Sequence, residues 1–349
     1  MNYILFDPPN VEFFFPFTLT RPLGEMRLFG GTIKDHWERY LGKKVSYLTY
    51  NQLSRLHPPT WCSSNNVLIC SDSMPQQDYN MLNIGDNMMS LKKIQEAWTL
   101  KYPNYKPDIN SNTYFLNNII SSCKYTASNI DVSSNNLFND DDGPIIIEED
   151  VVIMAGVMIK GPVHICKGSV IKMGAKIYGP TVIGPYCKVG GEISNSIFLG
   201  YSNKAHDGFL GHSIIGEWCN IGAGTSNSNL KNDYSTVKMW NYDKQKFLDS
   251  KLQYLGLYMG DHSKSAINTS FNTGTTIGVN CNIFGAGFPR NFIPSFSWGG
   301  SQGIKNYNID KAIEVANKVM ARRNVSLTQE YENLLRSVFN ITAHFRHKD

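Results

Sequence analysis

From Ile147 to Ser194 a branched aliphatic side chain returns at every sixth position: Ile147, Ile153, Ile159, Ile165, Ile171, Ile177, Ile183 and Val189. An amphipathic helix needs apolar spacings of three and four, and a half-buried strand needs two. Neither yields six. A second series of small or β-branched residues stands four places on, at Val151, Val157, Val163, Ser169, Ala175, Thr181, Cys187 and Ile193. Together they predict a parallel β-helix of hexapeptide turns, with the large side chain pointing inward and the smaller one filling the narrow interior beside it. Gly and Pro between them, as at Gly156, Gly161-Pro162, Gly168 and Gly179-Pro180, allow the bends.

The series resumes after a two-residue shift at Ile197, Asn203, Phe209, Ile215 and Ile221, and after a further interruption at Met259, Ser265, Phe271, Ile277 and Ile283. At three hexads per coil this makes roughly six coils in a stack about 29 Å tall. Residues 240–258, WNYDKQKFLDSKLQYLGLY, leave the register, so they should project from the prism. Their place just after Asn229 suggests a lid or a neighbour contact.

Ahead of the solenoid the pattern changes. Residues 3–7, 45–50 and 66–72 read as buried strands, Thr32 caps a helix that stops at Gly42, and Ser90 begins another. This alternation predicts a small α/β sandwich. Residues 101–142 read as a loose join with an irregular first coil, and 292–303 as an irregular exit. Two helices follow, one capped by Asp310 and one begun at Ser326 or Thr328, covering the solenoid end or a subunit seam. The predicted fold class is therefore α/β plus β-solenoid. Its boundaries are residues 1–122 for the α/β domain, 123–300 for the β-helix and 301–349 for a helical tail.

The chain has 349 residues and a formal net charge of +4, with no Lys/Arg run, which argues against a nucleic-acid partner. No apolar run reaches membrane-spanning length and the first residues lack a signal-peptide pattern, so a cytoplasmic protein with no membrane partner is expected. The seven cysteines form no CxxC pair. Cys187, Cys219 and Cys281 fall at the small inward position and read as core fillers.

Candidate chemistry concentrates in residues 203–233, where His, Asn and Lys gather just after the register shift. KAHDGFLG followed by IGEWCNIGAGTSNSN resembles the acetyltransferase half of the bifunctional uridyltransferase/glucosamine-1-phosphate acetyltransferases. It is more similar still to their two-domain bacterial sugar-phosphate nucleotidyltransferase relatives. The resemblance spans roughly residues 143–300 and implies a left-handed β-helix in a homotrimer, with active sites between chains and acetyl-CoA as co-substrate. By the same resemblance His206 matches the catalytic base, Asn220 and Asn229 match two asparagines near amino sugar and acyl carrier, and Ala223 matches a backbone contact near the acetyl group. Lys172 falls near a basic residue on the sugar phosphate. These residue types suit the reaction, because a neutral imidazole can take the proton of an attacking amine and a backbone N–H can hold the oxyanion. Phe209 replaces a family Tyr, and Asn195 or Ser196 stands where the family has a sugar-binding Lys, so the acceptor need not be glucosamine 1-phosphate.

For the N-terminal domain the resemblance implies nucleotidyl transfer to a sugar 1-phosphate, with a Gly-rich loop and Mg²⁺. Here FFFPFTLTRPLGEMR replaces that loop, leaving Arg21 and Arg27 as nucleotide-phosphate candidates and Asp72 as the metal candidate, with Asn118 second. The domain is short for this family, and a vestigial one is expected. The expected function is acetyl transfer from acetyl-CoA to an amino-sugar phosphate or nucleotide-linked amino sugar. Its alternatives are an active sugar-1-phosphate nucleotidyltransferase resembling UDP-N-acetylglucosamine pyrophosphorylase and a non-catalytic trimeric scaffold. A zinc hydratase using His206, His212 and His262 is disfavoured, because six residues move to the next prism face.

Overall fold

The structure is a computed structural model and describes residues 1–9, 11–75, 81–85, 89–102, 131–133 and 135–346. Its N-terminal sheet runs in the order Val45–Leu48, Asn2–Phe6, Asn66–Cys70, Met81–Gly85, the first three strands parallel and the last antiparallel. Alternation along the strands makes two faces. Leu5, Val45, Tyr47 and Ile69 pack with Ile33 and Trp37 of the helix Ile33–Leu41. Ile4, Phe6, Leu48 and Leu68 pack with Ile94 and Trp98 of the helix Leu91–Lys101. The caps fall where the sequence puts them: Thr32 and Asp35 form a capping box, Gly42 closes the first helix in the left-handed region, and the Ser90 hydroxyl caps the second.

The β-helix that the hexads predict is present, and every residue of both series from Ile147 to Ile193 is buried. One ladder holds ten strands, the last of them antiparallel, so nine parallel strands stack where roughly six coils were expected. Counted in the same way, at about 4.8 Å per coil, that is a stack about 43 Å tall. The extra coils come from both ends. Asp131–Val132 and Leu137–Asn139 already pair with the first hexad coil, and Phe292–Ile293 and Ser297–Gly300, expected as an irregular exit, continue the ladders before a terminal hairpin with Gly303–Asn306. Of the expected loose join, residues 103–130 lie outside the described residues.

The resumed register is also corrected. Ile183 pairs with Phe198, Val189 with Lys204 and Ile193 with Leu210, so the inward positions are Phe198, Lys204 and Leu210 rather than Ile197, Asn203 and Phe209. From Ile215 onward the expected positions hold. Cys187, Cys219 and Cys281 are in the core, and burial pushes the thiols of Cys187 and Cys281 up to about 12.

The bends are not made by Gly and Pro alone. At one corner the left-handed residue in successive coils is Asp150, Gly168, Tyr186, Tyr201, Trp218 and His262. The last four rings form a ladder, with Tyr201 and Trp218 stacked 4.2 Å apart. Gly168 starts it for a steric reason, since a Cβ there would meet the Tyr186 ring at 2.5 Å.

The three faces of the prism differ in chemistry. The first carries an outward column, Ile146, His164, Val182, Ile197, Ile214, Tyr258, Thr276 and Phe292. Its apolar members from Ile146 to Tyr258 share one core with the N-terminal domain, which therefore lies along this flank. The second carries Lys188, Asn203, Asn220, Lys264 and Asn282, a polar and basic column. The third carries Leu137, Met158, Lys176, Glu192 and Phe209.

The C-terminal helices Ile309–Ala321 and Gln329–Ile341 are capped by Asn308, where Asp310 was expected, and by Thr328. They pack with Leu19, Leu53, Val279 and Phe296. This puts them in the angle between the N-terminal domain and the late coils, not over a coil end. No helix among the described residues is long and apolar enough to cross a membrane.

Candidate functional site

His206 is exposed on the turn between strands Asn203–Lys204 and Phe209–Gly211. The turn is tight. A Cβ on Gly208, at φ +124°, would meet the carbonyl oxygen of Thr225 at 2.1 Å, so the coil carrying His206 lies directly against the next one. It is also pinned from within. Lys204, fully buried in the inward column between Val189 and Ile221, donates from Nζ to the His206 carbonyl at 2.6 Å and to the Gly190 carbonyl at 3.3 Å. Burial lowers this amine to about 8.

Two clefts meet at His206. The smaller, of about 470 Å³, is lined by Lys172, Met173, Ala205, His206, Asp207 and Ala223 among others. The larger, of about 740 Å³, lies between the polar face and the C-terminal end of helix Ile309–Ala321. His206, Asn220 and Ala223 line it with Tyr201, Trp218, Lys188, Lys264, Arg322 and Arg323. Its charge is one-sided. Lys188 is lowered first by Arg323, then by burial, Lys172 and Arg322, the mark of cations gathered without a carboxylate to balance them. Lys264 is lowered to about 8 by burial, and Arg323 donates to the Asn203 side chain at 2.8 Å.

Around Ala223 the neighbouring N–H groups are committed, Gly222 to Ser265 and Gly224 to Asp207. Ala223 lines both clefts, and its N–H is the candidate backbone donor there. The structure brings His206, Lys172, Asn220 and Ala223 to these two clefts and leaves Asn229 out. Its amide donates to His212 Nδ1 at 2.9 Å, and His212 stacks on Tyr254 of the insertion. The insertion itself, with its antiparallel hairpin Lys238–Asn241 and Lys246–Asp249, lines neither cleft of the same chain. Sequence reasoning missed Lys188, Lys264, Arg322 and Arg323. The outward place of Lys188 beside Val189 was legible, but the meeting with Arg322-Arg323 depends on where the helix docks.

In the N-terminal domain Arg21 is buried, and its guanidinium is shared between Glu217, at 3.0 Å, and Asp261. Burial opposes its charge, yet Asp261 and Glu217 hold its pKa above the usual value. Arg21 thus ties the domain to the β-helix through both terminal nitrogens, and its Nε is buried without a partner. Arg27 is also at the seam, with Nη1 3.7 Å from Cys166 Sγ. Asp72 lies just past the strand Asn66–Cys70, beside Asp7 at the end of the parallel neighbour. Asp7 is buried, accepts from Leu23 N–H and from the Thr49 hydroxyl, and is pushed up to about 6 by burial. Among the described residues no group of three ligands gathers around Asp72, so a Mg²⁺ there would rest on one or two carboxylates and on the phosphates of a substrate. Asn118 lies outside the described residues.

The group that does gather is Glu148, His164 and Cys166. Its ring is already spoken for, since His164 accepts the Gly30 N–H at Nδ1 and meets Glu148 at Nε2. The histidines His206, His212 and His262 form no common metal site, as His262 is buried against Tyr331.

Two comparisons concern the N-terminal domain and the chain as a whole. Residues 3–117 match the family model described as sugar nucleotidyl transferase. A bifunctional sugar-1-phosphate nucleotidylyltransferase/acetyltransferase of Sulfurisphaera tokodaii is 31% identical over 228 residues, 63% of this chain. The resemblance is to sugar nucleotidyltransferases joined to an acetyltransferase. The chain spans about half of that relative, 55% of its length. Solved structures also match at low scores. An Arabidopsis UDP-N-acetylglucosamine acyltransferase covers 61% of this chain and 91% of its own at 10% identity and TM-score 0.22. A GDP-perosamine N-acetyltransferase of Caulobacter crescentus, solved with CoA and GDP-perosamine, covers 88% and 97% at 10% identity and TM-score 0.18.

Proposed function

We propose that the β-helix transfers an acetyl group from acetyl-CoA to an amino-sugar phosphate or a nucleotide-linked amino sugar, with His206 as general base. The observation that carries this is the placement of an exposed imidazole where a cleft holding Lys172 meets a second, strongly basic cleft holding Asn220. Phosphates of donor and acceptor are the natural counter-charge for Lys172, Lys188, Arg322 and Arg323. The amine nitrogen attacks the thioester carbonyl, His206 takes the amine proton, and Ala223 N–H stands near the developing oxyanion. Collapse then breaks the C–S bond, and the proton leaves with the CoA thiol.

The reading extends to a homotrimer, in which a neighbouring chain completes the clefts. It is supported by the position of Asn229, which matches the family site yet does not reach the clefts of His206 within one chain. Nucleotidyl transfer by the N-terminal domain is proposed to be weak or absent, with the domain serving as a docked flank.

General base catalysis contributes roughly 10²- to 10⁴-fold in rate, so His206→Ala should lose acetyl transfer by that order. The variant should keep its thermal midpoint and its affinity for acetyl-CoA, since the ring is exposed and outside the core series. Wild-type turnover of an amino-sugar phosphate by His206→Ala would sink the mechanism.

A further inference from the structure

Away from His206, a cavity of about 810 Å³ opens where the insertion hairpin, the last coils and the C-terminal end of the chain meet. It shares no lining residue with the clefts at His206. Its size is that of a small-molecule site.

The floor is aromatic. Phe292 ends the apolar outward column, beyond the reach of the N-terminal domain, and the hairpin covers it instead: Trp240 stacks on Phe292 at 4.1 Å with the rings 9° apart. Phe247 meets Trp240 edge-on, and Phe345 closes the other side against Phe292. The Trp240 Nε1–H is buried and has no acceptor.

The rim is cationic. Lys238, Arg290 and Lys305 line the cavity and make no ion pair among the described residues, Arg346 lines it while donating to the Phe339 and Ser295 carbonyls and the Thr342 hydroxyl, and the described lining has no carboxylate. Flat aromatic surface beneath unpaired cations suits a ligand that is planar at one end and anionic at the other, because rings stack and phosphates draw guanidinium and ammonium groups. A purely apolar ligand would leave the cations unused, and a bare phosphate would leave the floor wet.

We infer that this cavity is a second ligand site, for a nucleoside phosphate, independent of the acyl-transfer clefts. The test is calorimetric titration of the full chain with UDP and ADP, against uridine, inorganic phosphate and dodecyl phosphate as partial probes, all without divalent metal. UDP or ADP should bind, and uridine and phosphate should bind far more weakly. Arg290→Glu combined with Lys305→Glu, both exposed, should weaken the nucleotide about tenfold or more with the thermal midpoint unchanged. Trp240→Ala should do the same, and Phe247→Ala, whose ring is largely exposed, serves if the tryptophan variant disturbs the hairpin. Arg323→Glu, in the cleft that the proposed function gives to donor and acceptor phosphates, should leave unchanged the component of nucleotide binding that Arg290→Glu with Lys305→Glu removes. Absence of nucleotide binding at millimolar concentration overturns the inference. So does binding that follows Arg323 instead of Arg290 and Lys305, or dodecyl phosphate binding more tightly than either nucleotide.

Discussion

Lys204 occupies a place that the coils on either side give to Val189 and Ile221. A lysine there costs desolvation, and its amine is lowered to about 8 for that reason. What it supplies is one hydrogen bond to the His206 carbonyl and one to the Gly190 carbonyl of the preceding coil, which tie the turn that carries His206 to its neighbour. Lys204 is therefore a positioning residue. Lys204→Met should keep the coil filled and lower kcat by about tenfold with KM little changed, because the turn loses its anchor while the substrate contacts remain. The charge gives a second readout. The unfolded amine titrates near 10.4, so between about 8 and about 10.4 the unfolded state binds more protons and stability rises with pH. Wild type should gain stability over the Met variant across that window. Parallel melting curves at pH 7.5 and 10 would refute the assignment. The slip that places Lys204 inward was invisible in the sequence, since Ile197 and Phe198 are adjacent and both apolar. Only the N-terminal domain packed on Ile197 decides which of them faces out.

At the scale of elements the hexads, strands and caps were legible because each depends on local spacing or on one capping side chain. The seams were not. Arg21 looked like a phosphate ligand in a loop that replaces glycines, and the structure shows it spanning to Glu217 and Asp261, about two hundred residues on. Asp261 is buried, accepts from Thr20 at 2.7 Å and from Glu217 N–H at 2.8 Å, and would lose its counter-ion in Arg21→Ala. Removing one partner of a buried pair costs about 3–5 kcal/mol, and thermal unfolding of Arg21→Ala should show a loss of that order. With that arginine committed to the seam, the chain should release little pyrophosphate from a nucleoside triphosphate and a sugar 1-phosphate. Brisk release that Asp72→Asn abolishes would reverse this reading. The insertion was legible as a protrusion but not by destination, because its register break says nothing of which face it folds over.

At the scale of the molecule the three faces have three fates. One is covered by the N-terminal domain, and the polar one is partly roofed by the helix ending at Arg322-Arg323. The third has no cover among the described residues, and it exposes Leu137 and Met158, 65% and 46% accessible, with Met173, 72% accessible, at the edge of the cleft of His206. Large apolar side chains in a column on a flat face mark an association surface. In a closed ring of like chains that face would meet a neighbour and bring it to His206, as the proposed shared site requires. Light scattering should give three times the chain mass at micromolar concentration. Met158→Glu, which lines neither cleft, should shift the mass towards one chain and remove acetyl transfer together, with the β-sheet circular dichroism retained. A wild-type monomer that still transfers acetyl groups would show that one chain holds the whole site, and the position of Asn229 would then need another cause.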